Sequence, residues 1–141
     1  MKLANILLVE DNEGDILLTR DAFEESKVKT LINVARNGQE ALDYLFKRGD
    51  FTEVKKPDLI LLDINIPIFD GHEVLQQIKK DPVLKKIPVI VLTTSSNEKD
   101  IEKAYENHTN SYVRKPLNME DFLKAILRIE EFWLQLTTLT N

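Results

Sequence analysis

The sequence predicts an α/β fold, a three-layer sandwich around a five-stranded parallel sheet, and three observations lead to this prediction. Short apolar runs recur along the 141 residues, as at 6–9, 59–62 and 89–92. They do not alternate with polar residues, which is typical of strands buried on both faces. Segments with helical periodicity separate them, and this alternation favours a doubly wound parallel sheet with right-handed crossovers.

Five strands are predicted, because each is a short and mainly apolar run bounded by polar or turn-forming residues. The second is more polar than the others, which indicates a position at the edge of the sheet. In chain order, the predicted strands are residues 5–10, 30–35, 59–63, 88–93 and 111–115.

Five helices are predicted from apolar residues at helical spacing that follow turn or capping residues. Asn37-Gly38 turns the chain into the second helix, and Asp70-Gly71 precedes the third; the candidate N-caps of the fourth are Ser95, Ser96 and Asn97. The predicted helices are residues 15–25, 39–47, 73–80, a fourth that starts at 96–98 and ends near 107, and a last one from 119 to beyond 133.

Two regions exceed what this minimal fold requires. Residues 48–56 form a long polar connection where a few residues would suffice. The last helix carries a wide apolar stripe, so it is either well anchored on the sheet or partly buried against a second subunit. The candidate interface residues on this helix are Phe122, Phe132, Trp133 and Leu134.

Composition narrows the class of protein. The length fits one domain over residues 1–141, and no apolar stretch approaches the roughly 20 residues that span a bilayer. The absence of cysteine excludes disulfides and thiol chemistry, and, with no signal-peptide pattern at the start, it predicts a cytoplasmic protein. A net charge of −5 argues against nucleic-acid binding.

Chemically active side chains follow four of the predicted strands. Glu10 and Asp11 end the first strand, Asp63 ends the third, Thr93 the fourth and Lys115 the fifth. Because parallel strands point the same way, these residues should meet at one edge of the sheet, where open α/β sheets bind ligands. Singly, each has an ordinary explanation, such as a helix-dipole partner, a turn cap or a surface charge. Together they predict a site.

The residue types in this site suit phosphoryl chemistry. The Asp63 carboxylate can act as a nucleophile towards phosphorus and form an acyl phosphate. Three clustered carboxylates repel one another, and a hard divalent cation such as Mg²⁺ relieves that repulsion. Lys115 and the Thr93 hydroxyl can neutralise or hydrogen-bond phosphoryl oxygens, which is most of what phosphoryl transfer needs.

On these residues the chain resembles the receiver domains of response regulators over nearly its whole length. Thr93 and Lys115 follow Asp63 by 30 and 52 positions, the receiver spacing, and Asp63 begins a receiver-like segment that ends in Asp70-Gly71. The resemblance implies a flavodoxin-like sheet of order 2-1-3-4-5. It also implies a protein-interaction switch rather than an enzyme that turns over a small substrate.

The resemblance also implies roles for single residues. Asp63 would accept phosphate from the phosphohistidine of a histidine kinase. Mg²⁺ would be held by Glu10, Asp11, Asp63 and the backbone carbonyl of Asn65. Lys115 would pair with Asp63 and then with the phosphoryl group.

Further implied features concern the switch. Thr93 would move towards a phosphoryl oxygen, and Tyr112 would follow by changing rotamer. Lys115-Pro116 would form a cis peptide bond. The added charge would then alter the surface of the fourth helix, fifth strand and fifth helix.

A narrower resemblance is to the receivers that partner bacterial phytochrome kinases. It is carried by Asn12-Glu-Gly-Asp15, by the connection 48–56 and by Phe132-Trp133-Leu134. It implies a receiver without an output module that forms a homodimer through its fourth and fifth helices, with a bacterial phytochrome as a possible partner. One departure from the common receiver pattern is His108-Thr109 before the fifth strand, which should alter that turn. His108 and His72 are both expected at the surface.

Three alternatives belong to other classes. A haloacid-dehalogenase-like phosphatase also uses an Asp nucleophile and Mg²⁺, but it needs a second Asp where this chain has Asn65, and its nucleophile follows the first strand. A flavin mononucleotide binder would need a phosphate-cradling first loop, and Glu10-Asp11 would repel phosphate. A transcription factor is disfavoured because no length remains for a DNA-binding domain.

Overall fold

The computed structural model describes residues 3–26 and 28–136, with side chains described as far as 134. Five parallel strands form one sheet in the order β2-β1-β3-β4-β5, which confirms the predicted topology and the edge position of β2. The strands are β1 (Ala4–Val9), β2 (Thr30–Ala35), β3 (Leu59–Leu62), β4 (Val89–Thr93) and β5 (Ser111–Arg114).

In the described part of the chain, five α-helices flank the sheet and start within two residues of the predicted positions. They are α1 (Glu13–Glu24), α2 (Gly38–Leu45), α3 (Gly71–Lys80), α4 (Glu98–Glu106) and α5 (Met119–Glu130). The helix α5 continues as a π-helical segment, Glu131–Leu136, and short 3-10 turns occur at Gly49–Phe51 and Leu84–Lys86. None of the helices in the described part of the chain combines the length and the apolar character needed to cross a membrane.

Short polar side chains fix the start of every α-helix. Each N-cap side chain accepts a hydrogen bond from a backbone N–H of the first turn, which satisfies one of the unpaired donors there. The caps are Asn12, Asn37, Asp70, Asn97 and Asn118. These caps set where each strand-to-helix loop ends, and therefore where the site residues of those loops lie.

Two apolar clusters hold the helices to opposite faces of the sheet. On one face, side chains of α2, α3 and α4 pack against Leu7, Ile60 and Val89. On the other face, side chains of α1 and α5 pack against Leu8 and Leu61. Because β1, β3 and β4 are covered on both faces, nearly all their side chains are buried, as their unalternating sequences predicted.

Although residues 48–56 are mostly polar, two apolar side chains of this connection pack against the core. Phe51 packs on Tyr44 of α2 with ring centroids 5.3 Å apart, and Val54 packs against the same apolar cluster. The connection therefore packs against the C-terminal part of α2, which contains Tyr44.

The structure corrects one of the predicted interface residues. Phe122 is only 3% exposed and packs in the core between α5 and the sheet, so it cannot contact a partner. Phe132 is 54% exposed, whereas Trp133 and Leu134 are partly buried against the same core cluster. The buried apolar residues of α5 are Phe122, Ile126 and Ile129, which follow helical spacing.

Candidate functional site

Asp63 directly follows β3 and lies on the floor of a polar site at the carboxyl edge of the sheet. Its side chain is 8% exposed, and its backbone N–H donates to the carbonyl oxygen of Val9 at 3.0 Å. The backbone N–H of Asn65 donates to Asp63 Oδ1 at 3.0 Å. One carboxylate oxygen of Asp63 is thus held by the following loop, and the other faces the site.

Lys115 reaches into the centre of this site from the end of β5. Its Nζ donates to Asp63 Oδ2 at 3.0 Å, to Asp15 Oδ2 at 2.9 Å and to Glu10 Oε2. The Lys115 backbone N–H also donates to the carbonyl oxygen of Thr93 at 2.7 Å, which fixes the point from which the side chain extends. All three donors of the ammonium group are therefore used by carboxylates.

Burial makes the charges of this cluster strongly interdependent. Burial, followed by the negative charge of Asp63, raises the pKa of Glu10 to about 7, although Lys115 acts in the opposite direction. Burial alone would lower the pKa of Lys115, but Asp63, Glu10 and Asp15 together raise it above its ordinary value. Lys115 is therefore a permanent cation that holds several carboxylates close together.

Asp15 belongs to this site although it was not among the predicted site residues. It lies in the first turn of α1, where its N–H donates to the cap side chain of Asn12 at 2.9 Å, and its own carboxylate turns towards Lys115. The rule that pointed to the other residues concerned strand ends, and Asp15 is not at one. Its predicted place at the start of the first helix, four residues after Asp11, was the available signal.

The predicted magnesium ligands are only partly assembled. Glu10 and Asp63 meet around Lys115, whereas Asp11 and Asn65 are exposed, and within the described ranges no three acidic or histidine side chains form a group of metal ligands. Mg²⁺ typically takes one or two carboxylates together with waters and phosphate oxygens, so a complete protein cage is not needed. The oxygen-only donors of Asp11, Asp63 and Glu10 fit such a hard cation.

Thr93 and Tyr112, the predicted switch residues, are both bonded to Ser95 in the loop that follows β4. Thr93 is fully buried, and its Oγ1 accepts a hydrogen bond from the Ser95 N–H at 3.3 Å. The Tyr112 hydroxyl donates to the Ser95 carbonyl oxygen at 2.8 Å. Burial raises the pKa of Tyr112 above its ordinary value, so this hydroxyl remains a donor.

The loop after Asp63 packs tightly against the starts of two helices. A Cβ atom on Gly71 would lie 2.5 Å from the Asp63 carbonyl oxygen, and one on Gly38 would lie 2.1 Å from the carbonyl oxygen of Phe69. Ile68 has a φ of 73°, a left-handed conformation that is costly for a β-branched residue. The loop is therefore held in place by its neighbours against local backbone strain.

The predicted cis bond between Lys115 and Pro116 is wrong. The described residues contain no cis peptide bond, so this one is trans. The trans form is intrinsically favoured by about 0.5–1 kcal/mol before proline. Lys115 reaches its carboxylate partners from the trans bond, so the predicted direction of its side chain does not depend on a cis bond.

The predictions for the two histidines had different outcomes. His108 is exposed, as expected, and with a φ of 63° it occupies the left-handed position that ends α4. His72 was expected at the surface but is only 4% exposed, and its Nε2 lies 3.0 Å from Asp100 Oδ1. Thr109, next to His108, is buried, and its hydroxyl donates to the carbonyl oxygen of Val89 at 3.1 Å.

Comparison with known proteins decides the family. The sequence profile described as the response regulator receiver domain matches residues 6–127, which is most of the chain. The chain belongs to the response regulator receiver family. This membership agrees with the sheet order and leaves the phosphatase alternative without support.

Two relatives illustrate how similar this receiver is in sequence to known regulatory proteins. The response regulator Rcp1 of Synechocystis sp. is 44% identical over 134 residues, which cover 95% of this chain and 91% of Rcp1. The probable methanogenesis regulatory protein FilR2 of Methanothrix harundinacea is 46% identical over 130 residues, which cover 92% of this chain and 83% of FilR2.

Two of the solved structures that resemble this receiver show how similar the fold is. The phosphorylated cyanobacterial phytochrome response regulator RcpA matches with a TM-score of 0.97 and 46% identity, over 99% of this chain and all of RcpA. The Mn²⁺-bound form of Rcp1 matches with a TM-score of 0.95 and 43% identity, over 98% of this chain and 99% of Rcp1. This chain is therefore homologous to phytochrome response regulators, and a divalent metal is bound in one of its homologues.

Proposed function

We propose that this receiver accepts a phosphoryl group from a partner histidine kinase onto Asp63 and responds by changing its protein-interaction surface. The observation that carries the proposal is the ammonium group of Lys115, 3.0 Å from Asp63 and bonded to two further carboxylates. An ammonium group held in this way is placed to pair with an incoming phosphoryl oxygen.

The chemistry of the transfer follows from the Asp63 carboxylate. Asp63 Oδ2 attacks the phosphorus, the bond from phosphorus to the imidazole nitrogen of the kinase breaks, and an acyl phosphate forms. The Asn65 N–H holds Oδ1, so the attacking oxygen is the one that faces the site. Lys115 then offsets the charge of the phosphoryl oxygens, and the Thr93 hydroxyl is available to donate to one of them.

Magnesium is the divalent cation we assign to this site. Asp11, Glu10, Asp63 and the backbone carbonyl of Asn65 would hold it, since all of them offer oxygen ligands. When bound, Mg²⁺ would neutralise charge on the carboxylates and on the transferred group. A variant Asp11→Asn should bind Mg²⁺ more weakly and take up phosphate from acetyl phosphate more slowly, whereas the neighbouring variant Glu13→Gln should do neither.

The kinase partner is proposed from the relatives. Rcp1 and RcpA are response regulators, and RcpA is described as a phytochrome response regulator, so a phytochrome-type histidine kinase is the partner we infer. We place the protein in the cytoplasm. Phosphotransfer from a purified, phosphorylated phytochrome kinase to the wild type, and not to Asp63→Asn, would support this partner. Equal transfer from an unrelated phosphorylated kinase would contradict it.

The output of the switch is proposed to be a homodimer through α4, β5 and α5. Apolar side chains stand exposed there, with Tyr105 51%, Leu117 93% and Phe132 54% exposed. Gel filtration with and without beryllofluoride tests the dimer, with Phe132→Ala as the interface variant and Leu17→Ala, exposed on α1, as its control. A monomer under all conditions would contradict this output.

A further inference from the structure

His72 is a buried polar residue that neither the family membership nor the site chemistry explains. It is the second residue of α3, and its Nε2 lies 3.0 Å from Asp100 Oδ1 on α4. Hydrogen bonds from Ser95 and then from His72 lower the pKa of Asp100, so that carboxyl group is ionised and accepts. The Nε2 atom of His72 must therefore carry the donated proton.

Asp100 is hydrogen-bonded to Ser95 as well as to His72. Its second oxygen, Oδ2, accepts a hydrogen bond from Ser95 Oγ at 2.7 Å. Ser95 also donates its N–H to Thr93 Oγ1 and accepts from the Tyr112 hydroxyl through its carbonyl oxygen. One residue thus holds both switch hydroxyls, and its side chain is tied through Asp100 to His72.

His72 is also held close to the loop that follows Asp63, the proposed phosphoacceptor. The Gly71 N–H, immediately before His72, donates to the carbonyl oxygen of Ile64 at 2.9 Å. A Cβ atom at position 71 would clash with the backbone of Asp63, so α3 starts in direct contact with the residue that takes the phosphate. His72 therefore links the backbone next to Asp63 to Ser95, in the loop that follows Thr93.

Packing alone does not account for a histidine here. Among the described residues, His72 Nδ1 is buried without a hydrogen-bond partner. Leaving a buried polar atom unpaired costs about 1–3 kcal/mol, which an aliphatic side chain of similar volume would avoid. The observed contact of His72 that an aliphatic side chain could not make is the hydrogen bond to Asp100.

We propose that His72 is a positioning residue of the switch, which holds Ser95 through Asp100 and thereby sets the places of the Thr93 and Tyr112 hydroxyls. His72 touches no reacting atom. Its functional meaning rests on the proposed phosphorylation of Asp63, because movement of Thr93 towards a phosphoryl oxygen must break the bond from the Ser95 N–H. The arrangement of the hydroxyls before phosphorylation does not depend on that proposal.

Two variants separate the hydrogen bond from packing. H72L removes the donor at similar volume, and H72Q retains an N–H donor. The readout is the NMR signal of the Tyr112 ring in unphosphorylated protein labelled with ¹³C at tyrosine, assigned with Tyr112→Phe. We expect the signal to move in H72L, in the same direction as in Ser95→Ala, and to stay near the wild-type position in H72Q. The double variant H72L with Ser95→Ala should show no further movement.

A packing control completes the test. Val74→Ala removes fully buried volume from the same helix and from the apolar cluster on which Tyr112 packs, but it has no polar atom to lose, so the Tyr112 signal should move less than in H72L. The proposal is overturned if the signal is unchanged in H72L, if H72Q moves it as far as H72L, or if Val74→Ala moves it equally. Failure of wild type to take phosphate would overturn the proposed function and leave this comparison intact.

Discussion

The Nζ atom of Lys115 lies 3.0 Å from a carboxylate oxygen of Asp63, although the two residues are 52 positions apart in the sequence. They meet because β3 and β5 are parallel strands of one sheet, separated by β4, and both end at the same edge. Glu10 and Asp15 complete the contacts of the ammonium group. Lys115 therefore contacts a cluster of three carboxylates rather than one.

Removal of Lys115 should destabilise the protein strongly. Lys115→Met leaves Glu10 and Asp63 buried without their cation, and breaking a buried ion pair typically costs about 3–5 kcal/mol. Urea denaturation without divalent cations should show this loss of unfolding free energy, and added Mg²⁺ should restore part of it. Lys124→Met is the control, because Lys124 pairs with Glu120 at the surface and should matter by less than about 1 kcal/mol. Equal losses of unfolding free energy in both variants would contradict the role of Lys115 in neutralising buried carboxylates.

Asp15 should slow phosphorylation rather than assist it. Its carboxylate shares the ammonium group of Lys115 with Asp63, so under the proposed phosphorylation its charge would lie close to the phosphoryl group. A unit charge at about 4 Å in water is worth about 1 kcal/mol, so Asp15→Asn should speed the reaction with acetyl phosphate about fivefold. Intact-mass time courses measure the rate, and Glu13→Gln, in the same turn of α1, is the control. A slower reaction in Asp15→Asn would show that this carboxylate contributes to the chemistry.

Asp100 should make the protein sensitive to acid. Hydrogen bonds from Ser95 and then from His72 lower its pKa in the folded state. The unfolded chain then binds the proton more tightly, so this stabilisation is present above the unfolded pKa and is lost as pH falls through the folded pKa. Denaturation curves between neutral and acidic pH should show a smaller acid loss for Asp100→Asn than for wild type. The exposed neighbour Glu102, changed to Gln, should leave the acid loss as it is in wild type.

The turn after α4 offers a stabilising substitution. His108 has a φ of 63°, and the N–H of Thr109 donates back to the carbonyl oxygen of Ala104, as in a helix end that usually takes glycine. His108→Gly relieves about 1–2 kcal/mol of backbone strain, offset by about 0.5–1 kcal/mol of glycine entropy in the unfolded chain. Thermal unfolding should therefore show a modest gain. His108→Ala keeps the Cβ atom and should show none.

Most of the fold, and the meeting of Glu10, Asp63 and Lys115, could be predicted because parallel strands share one direction. Once 59–62 and 89–92 were assigned as buried strands, Asp63 and Thr93 had to lie at the same edge. Asp15 was missed because a helix residue reaches the site through the rotation of α1, which strand ends do not determine. The burial of Phe122 could have been predicted, since it lies four and seven positions before Ile126 and Ile129 on one helical face.

The burial of His72 and its contact with Asp100 could not be predicted from the sequence, for a different reason. Its residue type suggested a surface position, yet it lies on the buried side of α3 with Leu75, three positions on. Only the placement of α4 against α3 brings Asp100 within reach of its ring. Contacts between helices depend on tertiary packing, and hydrophobic periodicity does not encode them. Local sequence likewise does not specify whether the peptide bond before Pro116 is cis or trans.

The role of Asp63 as phosphoacceptor is tested most directly by intact mass spectrometry after incubation with acetyl phosphate and Mg²⁺. Wild type and Asp63→Asn are compared under the same conditions. We expect one phosphate adduct on wild type and none on the variant. Absence of the adduct from wild type, or an equal adduct on Asp63→Asn, would contradict the assignment of Asp63.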